Sequence, residues 1–239
     1  MPDYYSYNGG SSRGGFMANV PTVTRNLIII NVIVFIATLI NENFMVTTFA
    51  MFYPASQYFH SWQIVTHMFM HGGFLHILFN MYTLWMFGSV LERMIGEKKF
   101  LIFYFVCGLG AVALHTGVEY LQAQGYLAAM ADGSAADAAA AARSYAELKM
   151  TPTLGASGAI YGVIIGYAML FPESRLTLLF PPVTLSAKWM VIIFAAMELL
   201  FGITGSVVNV AHFAHLGGML FGWILIKYWR KKGTLFNRN

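Results

Sequence analysis

The chain has 239 residues, of which 58% are hydrophobic and only 10% charged. A soluble domain carries about 25% charged residues, so a surface wetted on every side is excluded. The net charge of +4 is carried by residues that flank apolar runs rather than forming one patch, which argues for membrane topology and against a nucleic-acid partner.

In chain order, residues 1–23 are rich in Gly, Ser and Tyr and read as a disordered tail. The first apolar run, 24–41, has no small-residue cleavage site and reads as a retained span. Further spans are expected at 74–91, 100–119, 156–171, 187–204 and 207–228, each close to the ~20 residues that cross ~30 Å of hydrocarbon. Between the third and fourth, residues 122–152 are Ala-rich but broken by Asp132, Asp137, Arg143 and Glu147. Alanine favours helix, so an extramembrane loop with some helix is expected there, not a seventh span. Residues 229–239 form a basic tail. The expected class is therefore an all-α, polytopic membrane protein with six transmembrane helices as one domain over 24–228. The lone Cys107 lies inside an apolar run, which rules out a disulfide framework and speaks against a cysteine metal site.

Twelve of the fourteen Lys and Arg fall on one side of this arrangement, leaving Arg143 and Lys149 opposite. Basic residues mark the cytoplasmic side, so both termini are expected in the cytoplasm, with a prokaryotic plasma membrane as the location. An odd number of spans would scramble the bias.

That topology places three polar clusters at one depth, in the outward-facing halves of their spans. They are Ser157, in "TLGASGAIYG"; His212 and His215, in "NVAHFAHLGG"; and His76 and Asn80, in "HILFN". Polar groups inside a membrane are expensive and mark function. Gly158, Gly162 and Gly166 form one small-residue ladder, and Ala214, Gly218 and Gly222 another. Such faces let helix backbones approach closely in lipid, which favours contact between the serine and a histidine.

A serine becomes a nucleophile when a nearby base accepts its proton. His76 and Asn80, four residues apart, share one helix face and could donate to an oxyanion together with the Ser157 N–H. Glu198 is the only acid well inside a span; it lies past the midpoint of its helix and is given no catalytic role, so a dyad is expected rather than a triad. The span from Ser157 to Phe171 is about 22 Å long, roughly 8 Å short of a ~30 Å core, which would set the serine below the surface in a water-filled cavity. His67, His71 and His76 are spaced four and five apart near a loop–helix boundary without a carboxylate or cysteine, a poor metal set. No metal and no cofactor are expected. The G-x-S-x-G elbow of soluble hydrolases does not fit, because Ala159 stands where its second glycine would be.

"HGGFLHILFN" (71–80), "GASGAIYG" (155–162) and "AHLGG" (214–218) together resemble the motifs of the rhomboid family of intramembrane serine proteases. The resemblance covers residues 24–228 in order and spacing. It implies a six-helix protease domain with Ser157 as nucleophile, His215 as base, and His76 and Asn80 as oxyanion donors. Tyr161 would stack on the base, with Gly155 in the same motif positioning substrate or base. The implied partners are transmembrane protein substrates and membrane lipid. In the first extramembrane loop the family's usual Trp-Arg is here Trp62 followed by Gln63, a change expected to alter loop packing and not to abolish activity. The alternative reading is a catalytically silent rhomboid-like protein that binds membrane clients. A transporter, which would carry its polar groups at the midplane, ranks below both.

Overall fold

The computed structural model describes residues 19–177, 182–205 and 211–237 and is mostly helical. The tail expected to be disordered lies outside the described residues up to 18. The helices are α1 (Thr22–Ile40), α2 (Glu42–Phe49), α3 (Gln63–Thr66), α4 (Phe74–Ile95), α5 (Glu97–Asp132), α6 (Ala135–Met150), α7 (Ser157–Leu170), α8 (Ala187–Thr204) and α9 (His212–Lys231). One antiparallel hairpin, β1 (Arg175–Thr177) with β2 (Thr184–Ser186), joins α7 to α8. Each expected span overlaps one helix. Among the described residues four helices are long and apolar enough to cross a membrane: α1, α4, α5 and α8. Helix α7 is shorter, and α9 combines two histidines with a basic last turn.

The apolar residues divide by face as lipid demands. Only 28% of the most apolar stretch of α1 and 22% of that of α8 is buried, and Ile33, Leu39, Ile192 and Ile203 point outward. The interior is filled by Leu84, Leu91, Phe100, Phe103, Tyr104 and Ile226. Helix α9 packs against α5, α7 and α8. Its approach to α7 is a backbone contact: a Cβ at Gly218 would overlap the Gly158 carbonyl, and one at Gly222 would lie 3.1 Å from Gly162 Cα. In lipid, where helices gain little from hiding apolar surface from each other, such close approach is itself a source of association.

Two buried polar devices hold the frame. Glu92 of α4 accepts from the Val23 and Thr24 N–H groups at 2.9 and 2.7 Å, so a carboxylate from another helix satisfies unbonded donors at the α1 N-terminus. Gln63, the first residue of α3 in the segment between α2 and α4, is fully buried. Its Oε1 accepts from His60 N at 3.1 Å and its Nε2 donates to Tyr58 O at 2.9 Å and Thr47 O at 3.2 Å. This amide is thus the tie of the segment between α2 and α4. Gln63→Met keeps the volume and removes all of these side-chain bonds to half-buried backbone groups, each worth about 1 kcal/mol. It is expected to destabilise the protein by about 2–4 kcal/mol, read as a lower thermal midpoint in detergent.

Residues 122–152 hold more helix than the sequence reading anticipates. Helix α5 continues through Asp132, and Ser134 caps α6 by accepting from Asp137 N at 3.3 Å. The 36 residues of α5 span about 54 Å at 1.5 Å per residue, far more than a ~30 Å hydrocarbon core. The apolar stretch gives out near Glu119 and Gln122, about ten residues before the helix ends at Asp132.

Candidate active site

Ser157 opens α7. The stretch before it is pinned at two points. Met51 and Thr153 exchange backbone hydrogen bonds of 2.9 and 2.7 Å, and Gly155 N donates to His67 O at 2.9 Å. Gly155 has φ +133°, and a Cβ there would lie 2.9 Å from His76 Nε2 and 3.5 Å from Ser157 Oγ. Only glycine meets both the backbone angle and the space between those two side chains. The first α7 amide to reach a helical carbonyl is that of Ile160, on Ala156 O, so the Ser157 N–H stands in the first, unbonded turn.

Helix α9 brings both of its histidines to this mouth. His215 Nε2 lies 2.8 Å from Ser157 Oγ. The Tyr161 ring stacks on the His215 imidazole, with centroids 4.2 Å apart and planes 8° from parallel. The glycine contacts between α7 and α9 allow the approach, because a larger residue at Gly218 would push the helices apart one turn below His215.

Glu198, given no catalytic role in the sequence reading, is part of the cluster. Its Oε1 accepts from Tyr161 Oη at 2.6 Å and from His215 Nδ1 at 2.9 Å, and its Oε2 from His212 Nδ1 at 2.6 Å. The carboxylate therefore joins α7, α8 and α9 at the base. Depth could have found it. Glu198 is six residues, about 9 Å, from the end of α8, and the histidines stand in the first turn of α9, so antiparallel packing sets them nearly level.

Helix α4 forms the facing wall. His76, Asn80, Ser157, Tyr161, His212 and His215 all border one cavity of about 1470 Å³. Asn80 is buried, and its Nδ2 lies 3.0 Å from His71 Nε2. Burial, with the neighbouring His76 adding to it, pushes His71 down to about 4, so its imidazole is neutral at pH 7 and accepts from the amide. His71 thereby sets which end of Asn80 faces inward and leaves a second N–H available. The sequence reading weighed His71 only as a metal ligand. Burial likewise pushes His67 down to about 4; it donates through Nδ1 to Gln63 O at 2.8 Å. Among the described residues no three His, Cys, Asp or Glu side chains converge as a metal-binding group.

A hydroxyl against a neutral imidazole can lose its proton to it, and N–H groups on the same cavity can receive negative charge on a bound carbonyl. The family model described as Rhomboid domain matches residues 58–232. The chain is 30% identical over 176 residues to the presenilin-associated rhomboid-like protein A, mitochondrial, of Danio rerio, covering 70% of this chain and 38% of that protein. With the presenilin-associated rhomboid-like protein, mitochondrial, of Bos taurus it shares 32% over 161 residues, covering 67% and 36%. With the rhomboid protease GlpG of Yersinia pestis it shares 24% over 220 residues, covering 89% and 64%. The chain thus spans little more than a third of the length of the mitochondrial relatives. Their names overturn the placement in a prokaryotic plasma membrane with cytoplasmic termini. Basic residues report which loops share a side and carry no information about which membrane is crossed.

Proposed function

This chain belongs to the rhomboid family, and on that basis we propose that it is an intramembrane serine endopeptidase. In this reading α1, α4, α5, α7, α8 and α9 are six spans of one protease domain, and the substrate is a transmembrane segment of another membrane protein. The observation that carries the reading is the 2.8 Å contact between Ser157 Oγ and His215 Nε2, on a cavity large enough for an extended peptide.

Ser157 Oγ attacks the scissile carbonyl carbon as its proton passes to His215 Nε2. The carbonyl π electrons move onto oxygen, where the Ser157 N–H, His76 and Asn80 donate to the oxyanion. Collapse breaks the C–N bond, and the amine leaves with the proton from His215. Water, deprotonated by the same imidazole, then hydrolyses the acyl-serine and restores the hydroxyl. At 14 residues, α7 is about 21 Å long, which keeps Ser157 below the membrane surface and beside the water it needs. A helix in lipid satisfies its own backbone, so cleavable segments carry Gly or Pro that let them unwind near the membrane face opposite the basic residues.

Fluorophosphonate labelling of the purified protein in detergent tests this. The expected adduct is on Ser157, located by peptide mass. A folded protein that neither takes the label nor cleaves a transmembrane peptide would leave the client-binding alternative.

A further inference from the structure

We propose that Glu198 is a positioning residue for the base, holding His215 in the tautomer that can deprotonate Ser157. The inference rests on the protease reading above and extends its serine–histidine pair by a carboxylate.

The chemistry of the donor set leads to it. An ionised carboxylate only accepts hydrogen bonds, so a ring nitrogen bonded to it carries the hydrogen. His215 Nδ1 is 2.9 Å from Oε1 and His212 Nδ1 is 2.6 Å from Oε2. With its proton on Nδ1, neutral His215 presents a lone pair at Nε2, the atom 2.8 Å from Ser157 Oγ. When Nε2 takes the serine proton, the imidazolium forms beside a negative charge that is already in place and need not reorganise. Tyr161 on Oε1 and His212 on Oε2 fix the plane of the carboxylate, and the stacked Tyr161 ring fixes the plane of the imidazole. Serine, imidazole and carboxylate thus stand in one hydrogen-bonded line with a bracing donor on each carboxylate oxygen.

The plainer account is that Glu198 only ties three helices. Glu198→Gln separates the two, because an amide keeps the volume and can still bond neighbours. It has no charge to stabilise an imidazolium, and its NH₂ end demands a lone pair from one of the two histidines. The measurements are kcat and KM for a transmembrane peptide across pH, together with the rate of fluorophosphonate labelling. In Glu198→Gln, kcat is expected to fall by about 10²–10⁴, by analogy with amide replacement in other hydrolase triads, with KM little changed. The acid limb of kcat/KM should move to lower pH, because losing the negative neighbour disfavours the protonated imidazole. Among the described residues the other titratable groups bordering His215's cavity are His76 on α4, His115, Glu119 and Tyr126 on α5, Glu147 on α6, Tyr161 on α7 and His212 on α9; all are present in both proteins, so the shift is read as the difference from wild type. Glu198→Asp, which keeps the charge, should recover at least tenfold over Glu198→Gln. A folded Glu198→Gln protein within threefold of wild type, with its acid limb unmoved, would overturn the inference. If Glu198→Gln does not fold, Glu198→Asp decides: the limb stays at the wild-type position with a lower kcat, and a limb that moves while a carboxylate remains overturns it. A wild-type protein without labelling or cleavage would sink the protease reading itself, a result distinct from either.

Discussion

Replacing Ser157 by alanine is expected to reduce cleavage of a transmembrane peptide by about 10⁶-fold, the scale seen when the nucleophile of a serine hydrolase is removed. The protein should stay folded. Alanine retains the Cβ that opens α7, and the hydroxyl's hydrogen bond is to His215, whose Nε2 borders the cavity and can turn to water. The loss of one such bond costs about 1 kcal/mol, far less than a membrane bundle of this size can absorb. Single-turnover assays in proteoliposomes, run beside thermal unfolding in detergent, separate activity from stability. Turnover near wild type in the folded variant would end the mechanism proposed here.

His215→Ala should match that loss, and the Ser157→Ala/His215→Ala double variant should be no slower than either single one, because nucleophile and base act as a unit. His212→Ala is a different case. The two histidines are three residues apart and differ by 60° around α9, an angle at which one of them would be expected to miss the site. Both reach it, because a carboxylate offers two oxygens and each imidazole takes one. Removing His212 takes one brace from Glu198 and leaves His215 on Oε1 and on Ser157. The expected cost is about tenfold, the low end for a hydrogen bond to a charged group, and labelling of Ser157 should persist at a reduced rate. If His212 proved indispensable and His215 replaceable, the base has been misassigned.

Much of this was legible in the residues. Lipid imposes long apolar runs, and glycines at four-residue spacing announce where backbones touch, so the helices and the meeting of α7 with α9 could be read from composition and period. The carboxylate was not read, because Glu198 was judged along its own helix and not by depth against α9. A few residues of antiparallel offset decide whether an intramembrane acid faces lipid, a neighbour or the site. His71 was passed over for a similar reason. It lies outside the apolar run that carries Asn80, and the bend at Gly72 and Gly73 separates it from the helix whose amide its ring meets. At residues 122–132 two signals diverge. Hydropathy reports where hydrocarbon ends and helix propensity where a helix ends, and in α5 these points are about a dozen residues apart. The compartment was out of reach, since charge asymmetry orients a chain in any membrane.

The exposed tip between α5 and α6, at Gly133 and Ser134, divides the groups of the proposed centre by chemical role. The proposed nucleophile and base, Ser157 and His215, and the groups that brace the base, Glu198, His212 and Tyr161, lie on its C-terminal side, and both side chains proposed to donate to the oxyanion, His76 and Asn80, lie on its N-terminal side. The backbone crosses there only once, while α5 is packed along α7 and α9. A chain severed at that tip would yield two pieces held together by helix packing and by the backbone hydrogen bonds of Thr153 with Met51 and of Gly155 with His67, neither with the complete cluster. Restored turnover on mixing them would then report assembly of the bundle, turning the molecule into a self-reporting split enzyme for following how membrane helices find one another.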